Sequence, residues 1–456
     1  MSEAPRLLIL GGGSSQVSAL RRAREYGFAV VLADQDENAP GREWAHHFER
    51  ASTFDIDAVE AAAGRSGAQA LLAVGTDQPV YTAALVSRRL GLPYPLSVDQ
   101  ALSVTNKAEM KRVLSSAGVP SVPWTLLGPD PARWDEEGPA GIPAPWVVKP
   151  VDSQGQRGIR LVRNMQELRE HHPVALSFSR DSRILVEQYY PSREVTVSGW
   201  AHAGETVPVH GGASASPVTI WTVTDRVTFD PAVSHGSLGV CLAHRFPSDA
   251  AREHLERINE LTARIVRALT LHDVPVYFQF LIGNDGVRVN EIACRLGGAY
   301  EDQSIPRVTG VDVLAVQLEW YWRAIGSSRI KPALESAPES ALESAESDSA
   351  SGSAASRAFA VPLMFARPGV VRRLRGAEEL RRLPGVAECR FLLPEGTTIR
   401  PMVNSTQRIA YAVLHGPDAR TVNDLVDTLF DRLRVEDCEG NNLLIDTRAE
   451  TKIPVR

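Results

Sequence analysis

The sequence predicts a multidomain chain of the α/β and α+β classes, with a parallel βαβ sheet at the N-terminus, a central strand-rich region and a small C-terminal α+β module. Three observations carry that expectation. Apolar strands and amphipathic helices alternate as far as residue 103, the pattern of a parallel sheet under crossover helices. Strand-like runs then dominate through WVVKPVD, IRLVR, ILVEQYY and EVTVSGW. Finally, Ala333 to Ser356 reads as serine, alanine and glutamate with no aromatic or β-branched residue. Such a stretch buries too little apolar surface to offset its ordering entropy. It is expected to be a disordered acidic insertion at 333–357, followed by the module at 358–456. The 456 residues suffice for about two to four domains.

Composition narrows the function classes. Apolar residues at 43% and charged residues at 23% suit a soluble globular protein. A net charge of −6 gives no basic field for nucleic acid or an anionic membrane, so a nucleotide site would need its own lysines. Cys241, Cys294, Cys389 and Cys438 form no CxxC pair, which argues against a zinc knuckle or a disulfide framework. No basic-then-apolar leader precedes the first strand, and no apolar run approaches ~20 residues. The cytoplasm is the expected location.

The elements follow in order. RLLIL is a strand, GGGSS a turn, QVSALRRAREYG a helix and FAVVLAD the next strand; AQALLAV and the helix around YTAALVSRRLG repeat the unit. Gly11, Gly12, Gly13 and Asp34 imitate a dinucleotide fingerprint, but its third glycine would fall at Gln16. Those glycines serve a tight turn whose amide ends can face an anion. Thr105 is placed to cap a helix from Asn106 to about Ala117, with Met110, Val113, Leu114 and Ala117 as its apolar stripe. Lys107 sits in the first turn, where a cation opposes the helix dipole, which implies a separate partner. A helix is predicted from about Asp249 to Leu271, capped by Ser248 and apolar at Leu255, Ile258, Leu261, Ile265 and Leu269. VDVLAVQLEWYWRAIG, TVNDLVDTLFDRL, CRFLLP and IAYAVLHG supply later helices and strands.

Chemistry concentrates in a few places. In VYFQFLIGNDGVRVNEIACRLGG, two apolar strands flank Asn284-Asp285-Gly286, a three-residue hairpin loop with glycine at the left-handed position. That loop pairs Gln279 with Glu291, oxygen-bearing groups roughly 5 Å apart that can share a hard cation. Arg295 follows, within reach of an anion held there. Lys149 alternates with Val147 and Val151, and a lysine on such a buried face needs an anionic partner. The loop Ser153-Gln154-Gly155-Gln156-Arg157-Gly158 lets backbone amides approach an anion, although it lacks the GK[ST] ending of a Walker loop. Glu187 ends an apolar strand before Pro191, and Glu194 opens the next; they suit a purine edge and ribose hydroxyls.

This succession resembles the ATP-grasp superfamily, over about residues 6 to 320: TNKAEMKRVLSSAGVPSVP, WVVKP, SQGQRGIRLV, ILVEQYYPSREVTV and VNEIACRLGG. Residues 358–456 resemble the C-terminal module of the carboxylate-amine ligase branch, which includes the L-amino acid ligases. The resemblance implies a Rossmann-like domain at 1–103 and an ATP-grasp domain at 104–332, with a phosphate-loop lobe at about 120–195 and a metal lobe at about 196–332. It implies that Lys107, Lys149 and the loop of Ser153, Gln154, Gly155 and Gly158 contact the phosphates of ATP. It implies Glu187 at the adenine amino group, backbone atoms of Gln188 and Tyr190 at the ring edge, and Glu194 at the ribose. Gln279 and Glu291 take the Mg²⁺ (or Mn²⁺) positions, and Arg295 steadies the transferred phosphoryl group and a later oxyanion. Two positions depart from the family: Gln279 stands where a carboxylate is usual, and Ala293 where asparagine is often found. Glu301 or Asp302 is expected to compensate, or to bind a substrate ammonium.

The implied activity is ligation of a small carboxylic acid, an amino acid included, to an amine through an acyl phosphate, with ADP and phosphate released. The expected partners are small molecules and, by family analogy, a second copy of the chain in a homodimer. The rivals are a purine-pathway or carboxylase-like ATP-grasp enzyme, an ATP-binding regulator without turnover, and an NAD-dependent oxidoreductase. Tyr300, Arg307 and His235 are further candidates for a pocket.

Overall fold

The structure, a computed structural model, describes residues 4–135, 138–139, 141–203, 207–208, 215–234, 236–326 and 357–455. His235 and the acidic stretch up to residue 356 lie outside the described residues.

Four parallel strands open the chain, in the order His47–Arg50, Ala29–Asp34, Arg6–Leu10, Ala70–Ala73. The last three are almost wholly apolar because both faces are covered. Leu8, Leu10, Val31 and Ala33 pack with Val59, Ala62 and Val86 from the helices Ile56–Ser66 and Gln78–Leu90. Leu7, Ile9, Val30 and Leu32 face the other way, toward the helix Val17–Glu25 and toward Leu318, Tyr321 and Trp322. Those three belong to the helix Val313–Ala324, so a late segment covers the first sheet. The Trp322 ring meets Phe28 edge-on at 5.1 Å.

A second sheet is antiparallel, in the order Trp124–Leu127, Ile184–Gln188, Trp146–Pro150, Arg160–Val162. Trp146, Val148, Ile184 and Val186 pack with Leu168 and Ala175 of the helix Met165–Ser177. Strand alternation therefore turns Val147, Lys149, Leu185 and Glu187 to the opposite face.

The third sheet is the spine of the molecule. Its eight antiparallel strands run Gly286–Ala293, Val274–Gly283, Ser192–Ala201, Val218–Thr228, Cys241–Phe246, Ala358–Met364, Ala410–Gly416, Val386–Phe391. The last three come from the C-terminal segment, so that segment extends the central sheet. The helix Leu255–Ala268 buries Ile258, Leu261 and Ile265 against it.

Local boundaries differ from expectation in two places. Asn106 caps the helix Lys107–Ser116, accepting from the amides of Ala108 and Glu109, while the Thr105 hydroxyl donates to the Ala101 carbonyl. The helix expected from Asp249 begins at Leu255. The preceding turn hangs on Asp225, which accepts from the Ala250 amide at 3.0 Å, and Leu255 is left exposed.

Candidate active site

The hairpin joining the two edge strands of the large sheet sets the first two groups. Gly283 pairs with Gly286, so the loop has two residues rather than three. Its pairing would place Gln279 opposite Asn290. A bulge between Gln279 and Phe280 shifts the ladder by one, and Gln279 faces Glu291 as expected. Two departures from the predicted loop thus cancel. The bulge leaves Asn290 as the extra residue, and its Oδ1 accepts from the Lys149 ammonium at 3.1 Å.

Lys149 lies on the inner face of the four-stranded antiparallel sheet. Its partner is Glu187, Nζ to Oε2 at 2.6 Å; Lys111 holds the other oxygen, Nζ to Oε1 at 2.6 Å. Burial would push the Glu187 carboxyl up, but the two ammonium groups hold it at about 2. Burial also pulls the Lys111 ammonium down. Glu187 therefore does not project as a free acceptor toward a purine edge; two lysines occupy it.

Lys107, one turn before Lys111 on the same helix face, reaches across the cleft. Its ammonium is 3.0 Å from Glu291 Oε1 and donates to the Ser153 carbonyl at 2.8 Å. Burial opposes its charge, yet Glu291, Asp77 and Glu187 raise its affinity for the proton. The strained lysine of the sequence has its separate partner.

The glycine loop is held from three sides. The Lys107 amide donates to the Val151 carbonyl at 2.9 Å, and the Asp77 amide to Gln154 Oε1 at 2.8 Å. From the C-terminal segment, the Ser405 amide donates to the Gly155 carbonyl at 3.2 Å and its hydroxyl bonds Gln156. At Gly158, φ is +74°, and a Cβ would stand 2.9 Å from Pro150; glycine is needed on both counts. Two buried atoms of this loop, Ser153 Oγ and Gln154 Nε2, have no hydrogen-bond partner among the described residues. Both can donate, which suits an anion.

Arg295 is buried, with Nη2 2.5 Å from Asp77 Oδ1 and its guanidinium 4.7 Å from the Tyr277 ring centre. Asp77 is pushed up by burial and lies within the field of Arg295, Glu291 and Lys107. The following glycines are set by close approach. A Cβ on Gly297 would sit 2.5 Å from the Glu301 carboxyl carbon, and one on Gly298 would sit 2.6 Å from the Gly75 carbonyl. Glu301 accepts from the Gly297 amide at 2.7 Å and is pushed up to about 6 by burial. Asp77 lines the same small space as Glu291 and lies within its field. Glu301 is engaged with Gly297 and Ser198, and Asp302 sits beside Ser18, across the helix.

The structure thus converges Lys107, Lys149, Ser153, Gln154, Glu291 and Arg295, with Gln279 on the same ladder. Glu194 is ion-paired with Arg226, its ladder neighbour. The Gln188 amide donates to the Pro123 carbonyl, and the Tyr190 hydroxyl donates to the Gly286 carbonyl. Sequence reasoning missed Lys111, Asp77, Asn290 and Arg226. Lys111 had a signal, a lysine between Met110 and Leu114 on the apolar stripe. Asp77 had another: it follows the carboxyl end of a parallel strand, where such sheets bind ligands.

The glycine turn that imitates a dinucleotide fingerprint is closed on itself. The Gly12 amide donates to Asp34 Oδ2 at 2.7 Å. No metal cluster of three or more His, Cys, Asp or Glu side chains occurs among the described residues. The oxygen donors Gln279 and Glu291, with Asn290 beside them, still fit a hard cation that takes its remaining ligands from phosphate. No helix of the described residues is long and apolar enough to cross a membrane.

The chain is similar to several known proteins. Residues 113–297 match the family model for the D-ala D-ala ligase C-terminus, and residues 362–437 match that for L-amino acid ligase C-terminal domain 2. Protein y4rH of Sinorhizobium fredii is 26% identical over 91% of this chain and 78% of its own length. A D-alanine–D-alanine ligase of a Synechococcus strain is 31% identical, over 42% of this chain and 57% of the ligase; the match spans little more than half of that relative. Among solved structures, an L-amino acid ligase from Bacillus licheniformis superposes with a TM-score of 0.72 at 15% identity, covering 96% of this chain and 100% of that one.

Proposed function

This chain belongs to the ATP-grasp superfamily, in its carboxylate-amine ligase branch, and from that membership we propose that it joins a small carboxylic acid to an amine through an acyl phosphate, converting ATP to ADP and phosphate. The observation that carries the reading is the arrangement around Lys107. One ammonium ties the metal-ladder carboxylate Glu291 to the Ser153 carbonyl, while Ser153 Oγ and Gln154 Nε2 stand buried without partners beside it. Cations and unsatisfied donors from separate segments converge on one small space, as a polyphosphate requires.

In this reading Lys107 and Lys149 bind phosphoryl oxygens, and Ser153 and Gln154 donate to them. Glu187 and Lys111 hold Lys149 in place. The loop from Ser153 to Gly158, gripped by Asp77 and Ser405, keeps water from the acyl phosphate. Arg295, oriented by Asp77, faces the oxyanion formed when the amine attacks the acyl carbon. Gln279 and Glu291 would hold Mg²⁺, or Mn²⁺, which when bound draws charge from the phosphate oxygens. Such positioning and charge stabilisation supply most of the catalysis in phosphoryl transfer.

The test is ADP release by purified protein with Mg²⁺-ATP and a matrix of acids and amines, with products identified by mass spectrometry. The reading expects ADP only when an acid is present and an amide when both are. ATP binding by calorimetry without any ADP release would mark a regulator instead.

A further inference from the structure

The tip of the phosphate loop is met by a turn 249 residues further along the chain. Just before the strand Ala410–Gly416, residues Asn404 to Gln407 form this short turn. Its own bonds make it rigid. Asn404 Oδ1 accepts from the Thr406 amide at 2.9 Å, Gln407 Oε1 accepts from the Val403 amide at 2.7 Å, and Gln407 Nε2 donates to the Pro401 carbonyl at 2.8 Å. The turn is also tied to the body of the molecule. Ser237 Oγ donates to the Val403 carbonyl at 2.7 Å, and the Ile409 amide donates to the Met364 carbonyl of the central sheet at 2.9 Å.

The loop is strained where it is held. Gln156 has φ of +59°, a conformation that a non-glycine residue keeps only where its surroundings enforce it. Its Oε1 accepts from the Ser405 hydroxyl, and the preceding Gly155 carbonyl accepts from the Ser405 amide at 3.2 Å. A Cβ on Gly155 would stand 3.3 Å from Thr406 Cγ2, so loop and turn are in close contact. Ser405 thus grips two adjacent loop residues with two donors. Ser153 Oγ and Gln154 Nε2, the unsatisfied donors, start the same loop. Fixing its tip fixes how they are presented.

We propose that Ser405 is a positioning residue, which latches the tip of the phosphate loop to the C-terminal segment and thereby sets how much acyl phosphate is lost to water. The shielding rests on the ligase reading; the latch does not. Water attacking the acyl carbon forms a C–O bond, breaks the C–O bond to phosphate and returns the free acid. Of the two water protons, one goes to the phosphate and one to solvent. ATP is then consumed without an amide.

Ser405→Pro tests it on the full chain. Position 405 is the first residue of the turn, where proline is accommodated, as Pro131 is in the turn Pro131–Arg133. Asn404 is already extended, as a residue before proline must be. The substitution removes both donors to the loop and keeps the turn's own bonds. Hydrogen exchange read by mass spectrometry, without nucleotide, should show the peptide across 153–158 exchanging about tenfold faster or more, with the peptide across 401–408 little changed. Ser405→Thr keeps both donors and should exchange like the parent. Ser405→Ala keeps only the amide and should exchange about fivefold faster; it decides the matter if proline disturbs 401–408. In the ligation assay the proline variant should release about twofold more ADP per amide, or more.

Parent-like exchange in the proline variant overturns the latch, as does a threonine variant that exchanges like the proline one. If proline disturbs the turn, a parent-like alanine variant overturns it equally. Faster loop exchange with ADP per amide unchanged overturns the shielding. Faster loop exchange in a chain that releases no ADP under any condition upholds the latch and removes the ligase reading.

Discussion

Two glycine-rich turns follow apolar strands in this chain, and they end in opposite chemical states. At Gly11–Gly13 the amide of Gly12 is taken by Asp34, a carboxylate from the neighbouring strand. At Ser153–Gly158 the backbone is held open by contacts from three other segments, and two side-chain donors are left unsatisfied next to a lysine. Locally the two signals are alike, since each supplies glycines at a strand end. The difference lies in what the tertiary structure brings up. An internal anion makes the first turn a self-contained structural corner; the cations and free donors around the second are what support its proposed role toward an external anion. A third turn, at Gly297, repeats the internal solution with Glu301, but in a drier setting.

The largest effect that would break this contrast is Lys149→Ala. If the second turn is the phosphate receptor, ADP release should fall by about a hundredfold to a thousandfold, the usual loss on removing one preorganised charge donor. A steady-state assay that found activity within a few-fold of the parent would move the chemistry elsewhere.

Lys111→Met tests the support behind that receptor. It leaves Glu187, 2% exposed, with a single cation, and breaking a buried pair in this way costs about 3 kcal/mol. Urea unfolding should register the loss, and adding Glu187→Gln should recover part of it.

Glu301→Gln grades the internal solution. The carboxyl ionises at about 6 in the folded chain against 4.5 ordinarily. The native state therefore binds the extra proton across that window, and Glu301 contributes stability below pH 4.5 that is lost as pH rises through 6. The contribution is about 2 kcal/mol by the free-energy value of such a shift. His244, pulled down to about 3 by burial and by Arg226 and Arg408, acts in the opposite sense. The informative curve is consequently the variant minus the parent, which should slope between pH 4.5 and 6 and be flat above.

Asp34→Ala is the mildest. It removes one charge-assisted bond to a part-buried amide, about 1 kcal/mol, and ADP release should stay within about twofold because no phosphate contact changes. Protection of the parent by NADH but not by ATP in a melting assay would reverse the assignment of the two turns.

Much of this was legible in the sequence because the signals were local. Strand alternation placed Lys149 on a buried face, periodicity placed the helices, and the Gln279–Glu291 pairing was found although the loop was counted one residue too long. That success was partly fortunate, since the bulge at Asn290 restored the register. The site itself was legible as a list of residues but not as a set of bonds. Glu187 was expected to await a purine and is instead shared by Lys111 and Lys149. Asp77 stands where a parallel sheet binds ligands, but its pairing with Arg295, more than two hundred residues on, is not written in any local pattern.

Composition, periodicity and turn chemistry alone determined the class of the fold and the strand that bears the buried lysine, and the order of the motifs carried the family resemblance. These depend on interactions between near neighbours in the chain, which one sequence records directly. Only the tertiary structure decided which carboxylate neutralises which cation, that the C-terminal strands extend the central sheet, and that Asp302 looks into a cleft away from the phosphate loop. Those outcomes depend on distances between segments remote in sequence, and electrostatic energy in a buried site changes steeply over a few ångströms.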